Sequence, residues 1–213
     1  MPTSRFPSAG CRTWTISLCC ATSRSRSSWS RQKRQRWSSR SSSVELLTER
    51  LRLRPCREAD LETLAATIGE PAVSDWICNL PSPYTLADAR DFMRRTAALE
   101  KGWEGIVSLR DSRALVGGVR LTMVGDEEGD LGYWVVRARW GHGYATEAAA
   151  ALLEWGFRKL ALQCVIASTL PGNRPSQAVL RRLGFRYAGM RAAQVGACGS
   201  QRVPHYLLVQ PTG

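Results

Sequence analysis

The sequence predicts an α/β domain over residues 44–213, preceded by a basic segment of different character over residues 1–43. Three observations carry that class. Trp103–Arg110 and Leu115–Val124 have strand character and are joined by the short turn Asp111-Ser-Arg-Ala, which makes an antiparallel hairpin. A further strand pattern, Asp130–Val136, passes through Gly141 and Gly143 into an alanine-rich helical stretch, Tyr144–Leu160. The continuous apolar run Cys164–Leu170 follows that helix, and a strand reached by a helical crossover runs parallel to the one before it. The expected sheet is therefore mixed.

The elements follow in order. Arg50-Leu-Arg-Leu-Arg54 alternates as a half-buried strand does, Pro55 ends it, and its arginines share an outer face that either meets an acidic partner or, the reading favoured here, is simply solvated. Leu61, Leu64, Ala65 and Ile68 share one face of a helix over 58–68, with Gly69 at its C-cap. Glu70–Pro83, punctuated by three prolines, reads as a loop with at most a short helix. Its large side chains, Trp76, Ile77 and Leu80, with Tyr84 just beyond, either wall a substrate pocket or cover the edge of the core. Thr85-Leu-Ala-Asp88 is a capping box that opens a helix over 86–100. Gly117 and Gly118 within the second hairpin strand signal a bulge or a close backbone approach. Asn173 and Pro175 suit the start of a short helix over 177–183, stopped by Gly184, and Arg186–Met190 and Val203–Val209 read as closing strands.

Charge separates the two parts of the chain. Residues 1–43 contain eight arginines, one lysine and no acid, so they carry +9 of the formal +12, and residues 44–213 carry +3. The basic segment is serine-rich and without sustained periodicity, the composition of a disordered extension. It reads as an extension outside the natural product, with a GTG codon at Val44 as a bacterial start; a targeting peptide or a nucleic-acid-binding arm are the competing readings. The nearly balanced domain gives no cause to expect nucleic acid elsewhere. No apolar run of 20 residues is present, so no membrane partner is expected. Seven scattered cysteines without CxxC spacing, with only His142 and His205 to add, point to a reduced cytoplasmic protein with no metal site.

The glycine turn is the strongest local motif. Glycine permits unusual dihedrals and close approach, and the unpaired amides of the following helical turn suit a phosphate or pyrophosphate. A dinucleotide fingerprint would need glycine at position 146 and an acid near 163; Thr146 and Gln163 stand there. A Walker Gly-Lys-Ser/Thr is absent.

Taken together, Leu131-Gly-Tyr-Trp134, Trp140-Gly-His-Gly-Tyr-Ala-Thr-Glu-Ala148, Asn173-x-x-Ser176 and Leu183-Gly-Phe185 resemble the GNAT acyltransferases, in the branch typified by the RimJ and RimL N-acetyltransferases. The resemblance covers about residues 46–209, including Leu47-Thr-Glu-Arg-Leu-Arg-Leu53 and Pro83-Tyr-Thr-x-x-Asp88. It implies a mixed, mostly antiparallel sheet flanked by helices, split between its fourth and fifth strands where acyl-CoA enters. Those strands would be Asp130–Val136 and Cys164–Leu170.

The resemblance also assigns residues. The pyrophosphate loop falls on Trp140, Gly141, His142, Gly143, Tyr144 and Ala145, continuing to Thr146, with Trp140 where many members have Arg or Gln. His142 is expected as a loop residue and Glu147 as a residue that orders the helix start. Asn173 would bind the pantetheine arm or cap the turn, and Ser176 would sit near the sulfur. Leu180 occupies the position at which many members have a tyrosine acid, which leaves Ser176 as the candidate proton donor; Ala188 stands where some have a glutamate base. A backbone N–H at Val135 or Val136 would stabilise the oxyanion. Asp130, with Glu128 and Glu104 behind it, is the candidate base, and Trp76, Tyr84 and Tyr133 are the expected acceptor-pocket residues.

The expected activity is transfer of acetyl from acetyl-CoA to a primary amine, a protein N-terminus or a small molecule, by direct attack within a monomer or homodimer. The competing class is a non-catalytic acyl-CoA sensor or interaction module on the same fold, suggested by Leu180 and Ala188. Acceptor choice is expected in Glu70–Pro83 and in Arg191–Gln201, and neither segment names the amine.

Overall fold

The computed structural model describes residues 44–78, 80–194 and 199–210; the expectations for the basic segment lie outside the described residues. The strands are β1 (Leu46–Leu47), β2 (Leu51–Arg54), β3 (Gly102–Leu109), β4 (Leu115–Met123), β5 (Glu128–Val135), β6 (Cys164–Ser168), β7 (Arg186–Gln194) and β8 (Ser200–Val209). Among the described residues they form one sheet in the order β1-β2-β3-β4-β5-β6-β8-β7. β5 and β6 pair in parallel and the other neighbours antiparallel. Helices α1 (Leu61–Ile68), α2 (Pro71–Ser74), α3 (Leu86–Ala97), α4 (Tyr144–Lys159) and α5 (Arg174–Arg182) complete the mixed α/β architecture.

Strand alternation divides the core between the two faces of the sheet. On one face Leu51, Leu53, Trp103, Leu121, Leu131 and Val165 meet Ala148, Ala149, Leu152, Leu153 and Trp155 of α4 and Leu180 of α5. The alanines of α4 allow that helix to lie close on the strands. On the other, Ile106 packs with Leu61, Leu64 and Ile68 of α1 and Ala89 of α3.

The loop aromatics divide between the two expected roles. Ile77, Leu80 and Tyr84 pack against this second cluster, whereas Trp76 is 44% exposed. The capping box forms as expected, with the Thr85 Oγ1 accepting from the Asp88 N–H and Asp88 accepting from the Thr85 N–H. The helix over 58–68 splits into a 3₁₀ turn, Glu58–Asp60, and α1, and Gly69 caps α1 with φ −75°, not in a left-handed conformation.

Both glycine signals in the hairpin are realised. The register slips between Val107 and Ser108, and a Cβ on Gly118 would lie 2.5 Å from the Trp134 indole nitrogen. The closing strands are longer than expected, because Ala193↔Gln201 and Gln194↔Ser200 extend the β7–β8 ladder into residues without alternating hydropathy. The arginines around β2 correct another expectation. Arg52 pairs with Glu45 at 2.5 Å and Arg54 with Asp60 at 2.6 Å, and Arg54 is buried.

His205 on β8 is 4% exposed and shares a hydrogen bond with Ser168 Oγ at 3.0 Å. Burial and the nearby Arg191 charge push its pKa down to about 4. The unfolded chain takes up a proton near pH 6.5 that folded His205 refuses until about pH 4, so stability falls across that interval as pH drops. The whole gap corresponds to about 3 kcal/mol. Urea unfolding at pH 7 and pH 4.5 checks this: His205→Gln should flatten the wild-type loss of stability by up to about that amount.

Candidate active site

The opening in the sheet follows from unequal pairing. β5 is matched to β4 along its whole length, from Gly129↔Met123 to Val135↔Gly117. It is matched to β6 only at Glu128↔Cys164, Gly129↔Val165 and Asp130↔Ile166, while β8 holds β6 as far as Ser168↔His205. From Leu131 onward the β5 edge toward β6 has no ladder. The Val136 N–H donates to the Val116 carbonyl at 2.9 Å, so it is committed to β4. Alternation turns Val135 the other way, with its N–H facing the opening. Its carbonyl on that same edge accepts from the Trp140 indole at 2.7 Å. Trp140 thus finishes the strand edge.

The glycine turn lies at the end of this edge. A 3₁₀ turn, Arg137–Arg139, leads to Gly141 at φ +79° and Gly143 at φ +80°, the left-handed N-cap of α4, with no side chain capping the helix. A Cβ would meet nothing within 4 Å at Gly141 and only the Arg50 guanidinium at 3.7 Å at Gly143. The dihedral, not crowding, therefore requires glycine here. Thr146 Oγ1, in the first turn of α4, is buried and has no hydrogen-bond partner among the described residues. Uncapped first-turn amides together with an unpartnered hydroxyl make a cradle that fits a phosphate group. The His142 ring donates through Nδ1 to the Trp140 carbonyl at 2.7 Å and stacks on Tyr144.

Arg50, expected on a solvated face, fastens this turn. Its guanidinium donates to Glu147 at 2.7 Å and to the His142 carbonyl at 3.1 Å, and lies 4.7 Å from the centre of the Tyr144 ring. Glu147 also accepts from Thr48 Oγ1 at 2.6 Å and from the Arg50 N–H at 3.0 Å. Burial opposes ionisation of Glu147, but the hydrogen bonds from Thr48 and Arg50 prevail and hold its carboxyl below the usual range. The glutamate joins the start of α4 to the segment before β2. The only signal in the sequence was an acid in the first turn of α4; its partner is remote.

Across the opening, Asn173 Oδ1 accepts from the Ser176 N–H at 3.1 Å, capping α5. The Tyr133 hydroxyl crosses from β5 to Ser176, 3.0 Å from its Oγ and 3.0 Å from its carbonyl oxygen. Leu180, one turn further along α5, is 1% exposed in the core. The three expected pocket residues do not share a wall. Tyr133 packs on the α4 side of the sheet, whereas Tyr84 packs on the α1 side. Period-two alternation places Trp134, not Tyr133, in the cluster with Tyr84.

The candidate bases are arranged on the α1 side. Asp130, the last β5 residue matched to β6, pairs with Arg120 at 2.7 Å. Burial raises its carboxyl above the usual range, outweighing the Arg120 charge. Glu104 lies directly across from Arg120 on β3 and is likewise raised by burial. Glu128, matched to Cys164, stands at the closed end of the opening. Among the described residues no group of three or more His, Cys, Asp or Glu side chains could hold a metal ion. No helix among them is long and apolar enough to cross a membrane. A concavity of about 340 Å³ beside Arg54, Asp60 and Arg113 lies apart and contains none of the expected site residues.

Comparison with known proteins shows the family and the fold. The acetyltransferase (GNAT) domain family matches residues 50–186. The protein named uncharacterized N-acetyltransferase p20 of Bacillus licheniformis is 30% identical over 151 residues, covering 68% of this chain and 84% of p20. A GNAT-family acetyltransferase structure from Bacillus anthracis superposes with a TM-score of 0.69 at 25% identity, covering 78% of this chain and 98% of that one. In fold, the chain is also similar to Mycobacterium smegmatis RimJ in complex with CoA-disulfide, with a TM-score of 0.65, 22% identity and coverage of 75% and 82%. The chain belongs to the GNAT acetyltransferase family and is an acetyl-CoA-dependent N-acetyltransferase.

Proposed function

We propose that the opening between β5 and β6 is the catalytic centre, with the acyl donor held from the α4 side and a primary amine received from the α1 side. The divergence of β5 from β6 beyond Asp130, with Val135 turned into it and the glycine turn at its end, carries this reading. The amides of Gly141, His142, Gly143, Tyr144 and Ala145, with the Thr146 hydroxyl, would hold the pyrophosphate. Trp140 shapes the edge, and Asn173 and Ser176 line the other side of the opening. When bound, acetyl-CoA supplies an acetyl group activated as a thioester.

This chain's own groups do the rest. The Val135 N–H donates to an oxygen in the opening. Asp130, five residues from Val135 along β5 and therefore roughly 16 Å from it, takes through a chain of waters the proton that an incoming ammonium must lose, and its raised carboxyl brings it closer to the pKa of that task. The exposed Trp76 and the Tyr84–Trp134 cluster border the approach of the amine. The acceptor is a protein N-terminus or a small-molecule amine, and the enzyme works in the cytoplasm, consistent with the Cys56 and Cys78 thiols.

Calorimetry with acetyl-CoA, followed by thiol release against a panel of small amines and peptide N-termini, tests the reading. Binding with turnover on at least one amine is expected; no binding to the folded chain would overturn it. Three substitutions sharpen the test. Gly143→Val should weaken acetyl-CoA binding about tenfold or more, because valine resists the left-handed dihedral. Glu147→Gln should raise the dissociation constant about threefold, since the tie it breaks is partly exposed. Asp130→Asn should lower kcat about a hundredfold or more and abolish the acid limb of the kcat/KM profile. As Asp130 must be ionised to act, that limb should lie above the ordinary carboxylate range in the wild type.

A further inference from the structure

The Tyr133–Ser176 contact bridges the two sides of the opening, and the counting of its protons has a functional outcome. Tyr133 is held on β5 by its pairing with Val119, and its ring packs against the core beneath α4. Ser176 is held at the start of α5 by the Asn173 cap. Each hydroxyl has one proton, and the Tyr133 oxygen lies equally far, 3.0 Å, from the Ser176 Oγ and carbonyl oxygen. If the phenol donates to the carbonyl, it can accept the serine proton and the pair is closed on itself. If it donates to Oγ, the serine O–H is released to point elsewhere. An anion in the opening favours the second arrangement, because a hydrogen bond to a charged acceptor is roughly twice as strong as a neutral one.

We propose that Tyr133 is a positioning residue that turns the Ser176 hydroxyl onto the sulfur of bound CoA, so that the site holds the thiolate in preference to the thiol. The inference rests on the reading of the opening as the acyl-donor site. Burial, which outweighs the hydrogen bond to Ser176, pushes the Tyr133 phenol up to about 12, so it keeps its proton at neutral pH and serves as a donor. Leu180 has no proton to offer and is sealed in the core, which leaves the Ser176 hydroxyl as the α5 group served by this phenol.

The pKa of the CoA thiol bound to the full-length protein tests this without any amine. Thiolate absorbance is titrated in the ultraviolet, and a parallel titration with desulfo-CoA removes the protein's own tyrosine signal. In the wild type the bound thiol should titrate about one unit below free CoA, a tenfold gain in thiolate preference. Ser176→Ala should restore the free value, and Tyr133→Phe, which keeps the ring, should recover at least half of the shift. A Tyr133→Phe protein whose bound thiol keeps the wild-type pKa overturns the inference, whether or not Ser176→Ala shifts it. So does a Tyr133→Phe protein that binds CoA more tightly at unchanged thiol pKa, which would make the phenol a barrier across the opening. Failure of the wild type to bind CoA in calorimetry removes the reading of the site and the inference with it. Circular dichroism checks folding, and Tyr133→Met, which also lacks the hydroxyl, takes the place of Tyr133→Phe if that variant does not fold.

Discussion

The site depends on a competition between ladders. β5 belongs to the antiparallel half of the sheet, which matches it to β4 through Val135, and β6 belongs to a second group fixed by β8. A right-handed twist accumulates from strand to strand, and two groups each satisfied internally need not stay in register where they meet. They meet for three residue pairs and then part. Parting would ordinarily leave backbone groups exposed and unsatisfied. Here the Trp140 indole takes up the Val135 carbonyl, so that the edge keeps a donor toward the gap and is relieved of an acceptor.

In the proposed function that arrangement separates the tasks of the site by sheet face. On the α4 side are the glycine turn, Tyr133 and Ser176, to which the proposed function gives the phosphate and the sulfur. On the α1 side are Asp130, Arg120 and Glu104, charged groups partly withdrawn from water. Adjacent β5 residues supply both sides because successive side chains project oppositely. The same short strand can therefore serve a donor and an acceptor that approach from different directions, with Val135 between them.

Local patterns made much of this legible from sequence. The hairpin, the capping box at Thr85 and Asp88, the glycine turn and α4 were readable because each is encoded over a few consecutive residues. The positive dihedrals at Gly141 and Gly143 are the physical form of that signal. The role of Arg50 is not legible in the sequence, because alternation records which residues face away from the core and not what else reaches them; its partners come from the loop and helix after β5. The separation of Tyr133 from Tyr84 needs the strand register, which the sequence does not supply, since a one-residue shift exchanges the faces. The β7–β8 extension leaves no sequence signal, because its residues lack periodic hydropathy and are supported by backbone pairing.

The Arg50–Glu147 tie also has a temporal side. Its partners are separated by 97 residues, and Thr48 reaches the same carboxylate across 99. Contacts between such distant parts of a chain form only after the intervening loop entropy has been overcome. The glycine turn is encoded locally, yet its fastening waits for the first strands to find the helix. A growing chain can therefore possess the motif before it possesses the grip. Competence to hold a ligand becomes a property of assembly, acquired when the beginning of the domain closes over its middle.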